Sequence, residues 1–172
     1  QLNQSIQKIE NKDDNQPSSI SLQWQGDSWL KQKAIELNKG LGLSEVSIPL
    51  NLKTNLRDYQ KTGFSWLQFL SHYGLGGILA DDMGLGKTLQ VLTHILQEKN
   101  QGKLVTPCLI VVPTSLLSNW QSEIQKFTPS LSSLVLSGNN RDQQYKIINT
   151  IDIIIMSYGV MIRDKKQLSK YN

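Results

Sequence analysis

The sequence is poor in cysteine, histidine and long apolar stretches. It contains one cysteine, Cys108, and two histidines among 172 residues. One thiol cannot form an intrachain disulfide, and so few thiol and imidazole groups argue against a zinc site built by the protein. No apolar stretch approaches the roughly 18 residues of a membrane-spanning helix, and the first residues lack the pattern of a secretory signal. We therefore expect an intracellular protein without membrane contact.

Positive charge is in only slight excess over negative charge. The net charge is +4, 19% of the residues are charged and 38% are hydrophobic. This composition is typical of a soluble globular protein with its own core rather than of a disordered chain. The mild basicity permits a polyanionic partner but does not by itself indicate one, because nucleic-acid binding depends on how basic residues cluster.

The most informative stretch covers residues 77–88, where an apolar segment, a glycine-bearing turn and a helix start follow one another. Gly86, Lys87 and Thr88 match the end of the P-loop pattern, but Asp81 stands where that pattern has its first glycine. The glycines of the turn still allow backbone N–H groups to cradle phosphate oxygens. Lys87 is then expected to reach the β- and γ-phosphates, and Thr88 to ligate Mg²⁺. The alternative is a glycine-rich turn with a solvent-facing lysine.

The composition changes near residue 50. Residues 1–50 begin as a polar stretch rich in Gln, Asn, Ser and Lys and then carry a few apolar residues at helical spacing. We predict a linker and a short accessory helical segment there. Residues 51–172 alternate apolar stretches with amphipathic ones, and we predict that they form the ATP-binding domain.

Four strands and five helices are predicted in this second region. The strands are apolar stretches at residues 77–80, 109–112, 134–136 and 151–156, of which 109–112 is expected to be covered on both faces. The helices have apolar residues at spacings of three and four over residues 56–72, 87–100, 115–127, 141–149 and 160–169. Thr54 or Asn55 is expected to cap the first helix, whose inner stripe is predicted as Tyr59, Gly63, Trp66, Leu67 and Leu70. Strands separated by helices imply a parallel sheet between two helix layers, the three-layer αβα architecture of P-loop NTPases.

Four stretches together resemble one family. They are residues 56–60 (LRDYQ), 81–90 (DDMGLGKTLQ), 111–120 (VVPTSLLSNW) and 153–158 (IIIMSY). Their order and spacing are similar to those of the Swi/Snf-type DNA-translocating ATPases of helicase superfamily two, which include bacterial HepA-like members. The resemblance covers about residues 52–166 and accounts for Asp81, which is usual there in this family. The one departure in the P-loop is Asp82, where the family usually has Glu.

The resemblance implies a RecA-like first helicase lobe with a nucleotide site and a DNA track. Lys87 and Thr88 would be catalytic, and the implied ATP-binding residues are Arg57, Gln60, Asp82, Met83, Gly84, Leu85, Gly86, Lys87, Thr88 and Leu89. Gln60 would bind the adenine edge, with Arg57 shaping that pocket, and Thr88 would hold Mg²⁺. The implied DNA-binding residues are Pro113, Thr114, Ser115, Asn119, Trp120, Ser157 and Tyr158. Two alternatives stay open at this point, namely Gln60 as a helix-surface residue and Trp120 as a core residue.

The resemblance also implies parts that these 172 residues do not contain. We expect the acidic box that activates water to follow Asn172, and a second lobe with arginine fingers beyond it. We therefore expect this chain alone to be inactive and marginally stable.

The implied function is ATP-driven translocation on double-stranded DNA, with remodelling of protein–DNA complexes in chromatin or transcription. Partners would be duplex DNA, DNA-bound proteins such as RNA polymerase, and the second lobe. The location would be the bacterial nucleoid or the eukaryotic nucleus. The alternatives are an RNA helicase and a non-catalytic nucleotide-binding or interaction fragment.

Overall fold

The computed structural model describes residues 46–138 and 141–171. They fold around a three-stranded parallel sheet. The strands are β1 (Cys108–Val112), β2 (Ser133–Leu136) and β3 (Ile153–Ser157), and β3 lies between the other two. The predicted parallel sheet is therefore confirmed, and each connection must cross back over one face of it.

Helices lie between the strands in the chain, where they make these connections, and also before and after them. Among the described residues they are α1 (Asp58–Tyr73), α2 (Lys87–Asn100), α3 (Leu117–Phe127), α4 (Arg141–Tyr145), α5 (Tyr158–Arg163) and α6 (Lys165–Leu168). Short 3₁₀ turns, Thr114–Leu116 and Ile148–Thr150, precede α3 and β3. α2 has the bounds that its apolar spacing predicts, and its inward residues Leu89, Leu92, Ile95 and Leu96 are all buried.

The helices form two layers because alternate residues of β3 point to opposite faces of the sheet. Ile153 and Ile155 are fully buried in a cluster shared with α1, α2 and α3. Ile154 and Met156 pack instead with Tyr145 of α4 and with partly buried residues of α5 and α6. The predicted three-layer αβα arrangement is confirmed by these two clusters.

β1 is less covered than predicted. Ile110 and Val112 are buried, but Leu109 is 45% exposed. The expectation of two covered faces is therefore wrong for this strand. Within the described residues, β1 pairs only with β3 and so forms one edge of the sheet.

Residues 77–80 do not form the predicted strand. They have no strand partner among the described residues, and Ile78 is 87% exposed. A strand forms only where a neighbouring strand completes its hydrogen bonds, so an apolar sequence alone is insufficient. The segment is instead packed against α1, since a Cβ at Gly77 would lie 2.4 Å from Leu70 Cδ1 and 2.6 Å from Trp66 Cη2.

The inner face of α1 differs from the stripe predicted to begin at Tyr59, which is 40% exposed. The residues that α1 buries include Gln60, Phe64 and Gln68. The true inner face is thus offset by one residue, about 100° around the helix. Apolar periodicity missed it because two of its members are amides that find hydrogen-bond partners on neighbouring segments.

Four helix predictions also differ in their bounds or continuity. The helix predicted over residues 115–127 starts as the 3₁₀ turn Thr114–Leu116, and the α-helix begins at Leu117. α1 begins after Arg57, two to three residues later than the predicted caps. The helix predicted over residues 141–149 is α4 followed by a 3₁₀ turn. The helix predicted over residues 160–169 is divided into α5 and α6 at Asp164, whose carboxylate pairs with Arg141 at 2.7 Å. A tertiary ion pair therefore sits where local spacing predicts one continuous helix.

The predicted accessory segment lies mostly outside the described residues. Of residues 1–50, the structure describes 46–50, where Val46 and Ile48 pack against the core. The Val46 N–H donates to Ser65 Oγ of α1 at 3.4 Å. The linker and short helix stay predictions for residues 1–45. Across the described ranges, the helices are too short or too polar to cross a membrane.

Candidate nucleotide-binding site

The P-loop, residues 81–86, leads directly into the N-terminus of α2. Gly84 and Gly86 adopt left-handed backbone conformations, with φ of 86° and 76°, which side-chain-bearing residues rarely adopt. Gly86 is also the residue that precedes the first turn of α2. The first N–H groups of a helix have no intrahelical acceptors, and the helix dipole is positive at this end. The loop therefore ends at a site suited to anions.

Lys87 points across the loop rather than into solvent. Its ammonium donates to the backbone carbonyl oxygens of Asp81 at 2.6 Å and Asp82 at 2.8 Å. An ammonium group has three N–H donors, so one more acceptor can be bound. This geometry does not support the alternative of a solvent-facing lysine. Thr88 follows in the first turn of α2 and is half-buried, whereas Met83 at the tip of the loop is 97% exposed.

Gln60 connects α1 to the same loop. Its side-chain oxygen accepts from the Arg57 N–H at 2.9 Å, and its amide nitrogen donates to the Leu85 carbonyl oxygen at 3.1 Å. The side chain is only 7% exposed, so the alternative of a helix-surface residue is wrong. A Cβ at Gly86 would lie 2.5 Å from its amide nitrogen, so a side chain there would displace Gln60 as well as strain the left-handed backbone. Contact between Gln60 and adenine stays a prediction.

One polar residue that sequence reasoning did not assign to the site also lies against the loop. Gln90 of α2 donates to the carboxylate of Asp81 at 3.1 Å, and Gln90 is fully buried. Asp81 departs from the general P-loop pattern, and its carboxylate has this buried amide as a hydrogen-bond donor. Two features of the sequence could have indicated this role for Gln90. It is the last residue of the stretch 81–90 that resembles the family, and it lies one helical turn past the loop.

The predicted DNA-binding residues divide into two groups. The first group, residues 113–115, 157 and 158, lies at the ends of β1 and β3. These ends are adjacent, because Val112 of β1 is paired in register with Ser157 of β3. Residues 113–115 are exposed beyond β1, and Tyr158 beyond β3 is 55% exposed. The hydroxyl oxygen of Ser157 accepts from the Val160 N–H at 3.4 Å and so caps α5. The fold thus brings these two predicted segments to one edge of the sheet.

The second group lies on α3. The Asn119 side chain is exposed and donates to Glu123 Oε1 at 3.0 Å, one helical turn away. Trp120 is half-buried and packs against the main hydrophobic cluster. This contact supports the alternative in which Trp120 is a core residue, while a DNA role for Asn119 stays a prediction.

The donor set suits a nucleotide with its magnesium more than a metal held by protein alone. Among the described residues, three or more His, Cys, Asp or Glu side chains do not cluster with metal-site geometry. Magnesium in nucleotide sites is characteristically held by few protein groups together with phosphate oxygens. Lys87, the start of α2 and the Thr88 hydroxyl are groups of that kind.

Comparison with known proteins agrees with this geometry. Residues 59–172 match the family model described as the SNF2-related domain. The chain belongs to this family. The SNF2-related match begins within α1 and covers the P-loop, the sheet and both helix layers.

Named relatives come from bacteria and eukaryotes. The chain is 42% identical over 137 residues to the putative ATP-dependent helicase/translocase YwqA of Bacillus subtilis, covering 78% of this chain and 15% of YwqA. It is 42% identical over 121 residues to the ISWI chromatin-remodeling complex ATPase ISW2 of Saccharomyces cerevisiae, covering 67% of this chain and 11% of ISW2. The chain therefore spans a small part of the length of these relatives.

A solved structure supports the same fold. The Sulfolobus solfataricus SWI2/SNF2 ATPase core in complex with dsDNA superimposes with a TM-score of 0.64 at 42% sequence identity. The match covers 72% of this chain and 25% of that structure. The described residues therefore have the RecA-like fold of part of this ATPase core.

Proposed function

We propose that this chain forms the ATP-binding part of a DNA-dependent ATPase that translocates on duplex DNA and remodels protein–DNA complexes. The observation that carries the proposal is the position of Lys87. It begins α2 directly after two left-handed glycines, and its ammonium is directed across the loop. This is the arrangement in which a lysine and a helix N-terminus bind a triphosphate.

Each residue of the site would have a distinct role. Lys87 would bind the β- and γ-phosphates, and the Thr88 hydroxyl would ligate Mg²⁺. Magnesium would neutralise charge that develops on the phosphate oxygens. Gln60 would hold the loop through the Leu85 carbonyl in addition to any contact with adenine. Arg57 is exposed next to it, where its guanidinium could contribute to the nucleotide pocket.

Duplex DNA would bind where residues 113–115 and Tyr158 follow the ends of β1 and β3. Exposed hydroxyl and backbone N–H groups suit phosphate contacts, which position a protein without reading sequence. The similar Sulfolobus solfataricus ATPase core was solved in complex with dsDNA, which supports this choice of nucleic acid. Further proposed partners are DNA-bound proteins such as RNA polymerase and a second ATPase lobe. The proposed location is the nucleoid of a bacterium or the nucleus of a eukaryote.

The test is ATP hydrolysis by the full-length protein without nucleic acid, with duplex DNA and with RNA. We expect duplex DNA to stimulate hydrolysis more than RNA does. Lys87→Ala should abolish hydrolysis while circular dichroism shows a folded protein. Lys103→Ala is the matched control, because this exposed lysine lies just past the opposite end of α2.

Three results would contradict the proposal. Hydrolysis that no nucleic acid stimulates would exclude a DNA-dependent ATPase. Stronger stimulation by RNA would favour an RNA helicase. An equal loss in Lys87→Ala and Lys103→Ala would show that the P-loop lysine has no special role.

A further inference from the structure

The buried carboxamide of Gln90 lies between the P-loop and α1. Gln90 is on the first turn of α2 and is 0% exposed. Its amide nitrogen donates to Asp81 Oδ2 at 3.1 Å. Asp81 is the first residue of the P-loop, at the position where the general pattern has glycine. Gln90 therefore holds the Asp81 side chain, which a glycine at this position would not have.

The other end of the same carboxamide has no hydrogen-bond partner among the described residues. Gln90 Oε1 is buried and unsatisfied. It faces α1 at Gly63, where a Cβ would lie only 1.9 Å from it. Buried acceptors without partners are costly and rare, so one next to a functional loop requires an explanation.

The orientation of the amide follows from the charge of Asp81. If the carboxamide were flipped, its oxygen would face the Asp81 carboxylate, and two acceptors would repel each other. The observed orientation gives the carboxylate a donor, and hydrogen bonds to charged groups are the stronger kind. The unsatisfied oxygen on the Gly63 side is thus the consequence of keeping the bond to Asp81.

Asp81 in turn orients Lys87. Its backbone carbonyl oxygen accepts from the Lys87 ammonium at 2.6 Å. Fixing the Asp81 side chain therefore fixes the carbonyl that directs the phosphate-binding lysine. The glycine of the general P-loop pattern has no side chain that Gln90 could hold, so this means of fixing the carbonyl depends on Asp81.

We infer that Gln90 and Asp81 are a positioning pair that sets the P-loop for ATP, and that Gly63 provides the space that the pair requires. This inference rests on the proposed function. The pair does not contact the phosphates itself and acts through Lys87. The structure therefore assigns a role to the residue that departs from the general pattern.

The decisive variant is Asp81→Gly in the full-length protein, because it restores the general P-loop pattern while removing the carboxylate. We expect its dissociation constant for MgATP, measured by calorimetry, to rise about tenfold, as does that of Gln90→Met. Gln68→Met is the matched control. Gln68 is a buried glutamine of the same α1–α2 interface, but it bonds to His94 at 2.7 Å rather than to the loop. Gln68→Met should lower the melting temperature and leave MgATP affinity within about twofold.

Exchange of the two groups separates positioning from general damage. Gln90→Glu alone places two carboxylates against each other and should weaken MgATP binding most. The double variant Asp81→Asn/Gln90→Glu restores a donor opposite an acceptor and should recover most of that loss. Hydrogen–deuterium exchange without ATP gives an independent measurement. Exchange of residues 81–87 should be faster in Asp81→Gly and Gln90→Met and unchanged in Gln68→Met.

The outcomes separate this inference from the proposed function. Wild-type affinity and wild-type exchange in Asp81→Gly would overturn the inference alone. So would an equal loss of affinity in Gln68→Met, or a double variant no better than Gln90→Glu. A wild-type protein that binds no MgATP would overturn the proposed function and the inference with it.

Discussion

The contact between Gln68 and His94 predicts that acid weakens the α1–α2 interface. Gln68 of α1 lies 2.7 Å from His94 Nδ1 of α2 through its amide nitrogen, and 3.5 Å from the His94 carbonyl oxygen. Burial lowers the pKa of His94, Glu98 partly opposes this, and Lys103 adds to it. The folded protein therefore favours the neutral ring. The stability that the neutral His94 ring contributes is fully present above the pKa of the unfolded state, about 6.5. It is lost as the pH falls through the lower pKa of the folded state.

The contacts set the size of the effect. A neutral ring can accept at Nδ1, but a protonated ring carries N–H groups at both nitrogens and would face the Gln68 donor. Flipping the amide would place its oxygen against the His94 carbonyl oxygen, so rotation does not relieve the conflict. Loss of one hydrogen bond costs about 1 kcal/mol. With the cost of charging a half-buried ring, we expect the free energy of unfolding to fall by about 1–2 kcal/mol between pH 8 and pH 5.

Urea unfolding at several pH values measures this fall, and NMR titration reads the pKa of His94 directly. His94→Gln should remove that part of the pH dependence, whereas His72→Gln, at an exposed position of α1, should retain it. Gln68→Glu should reverse the sign, because a carboxylate beside the ring favours its charged form. The reasoning would be refuted if His94→Gln kept the full pH dependence, or if His94 titrated at or above pH 6.5.

Three further predictions concern the loop, the core and an ion pair. Gly86→Ala should destabilise the loop by about 1–3 kcal/mol and weaken MgATP binding in calorimetry, because the left-handed backbone strains a side chain that also meets Gln60. Ile124→Ala should lower the free energy of unfolding in urea by about 2–5 kcal/mol, because Ile124 is 1% exposed in the main cluster. The Arg141 hydrogen bonds lower the pKa of Asp164 despite its burial. Asp164→Asn should therefore lower the melting temperature at pH 7. The wild type should lose this advantage in acid, as the pH falls through the lowered pKa of Asp164 in the folded protein.

The loop and ion-pair predictions each have a control within the chain. Gly84→Ala has similar backbone strain but no neighbouring atom within 4 Å, so it should be the milder loop variant. Asp58→Asn removes an exposed ion pair with Lys61 and should change the melting temperature less than Asp164→Asn does. Equal effects within either pair would contradict the structural explanation, as would an Ile124→Ala variant as stable as the wild type.

Local patterns in the sequence predicted much of the fold. The bounds of α2, the parallel sheet and the two helix layers follow from apolar spacing and from glycine at helix ends. Gly86, Lys87 and Thr88 predict a P-loop because phosphate binding requires those residue types in that order. Residues 113–115 and 157–158, which are predicted to bind DNA, directly follow predicted strands in the sequence, and the register of β1 and β3 brings these two segments together.

Where a prediction failed, the missing information lay in another part of the chain. Residues 77–80 are apolar enough for a strand but have no strand partner among the described residues. Gln60 and Gln68 lie on the inner face of α1 because each finds a polar partner on another segment. Apolar periodicity does not predict the burial of such amides, since their hydrogen-bond partners are 25 or 26 residues away in the chain.

By itself, the sequence determined the family, the parallel sheet between two helix layers, and the position of the P-loop before α2, because each of these depends on residues close together in the chain. Only the tertiary structure decided which side chains hold that loop. It showed Lys87 on the carbonyl of Asp81, and Asp81 on Gln90. It also placed Gln90 Oε1 at the position that a Cβ of residue 63 would occupy, which Gly63 leaves free. These contacts join two helices to one turn, and their distances are set by packing rather than by spacing along the chain.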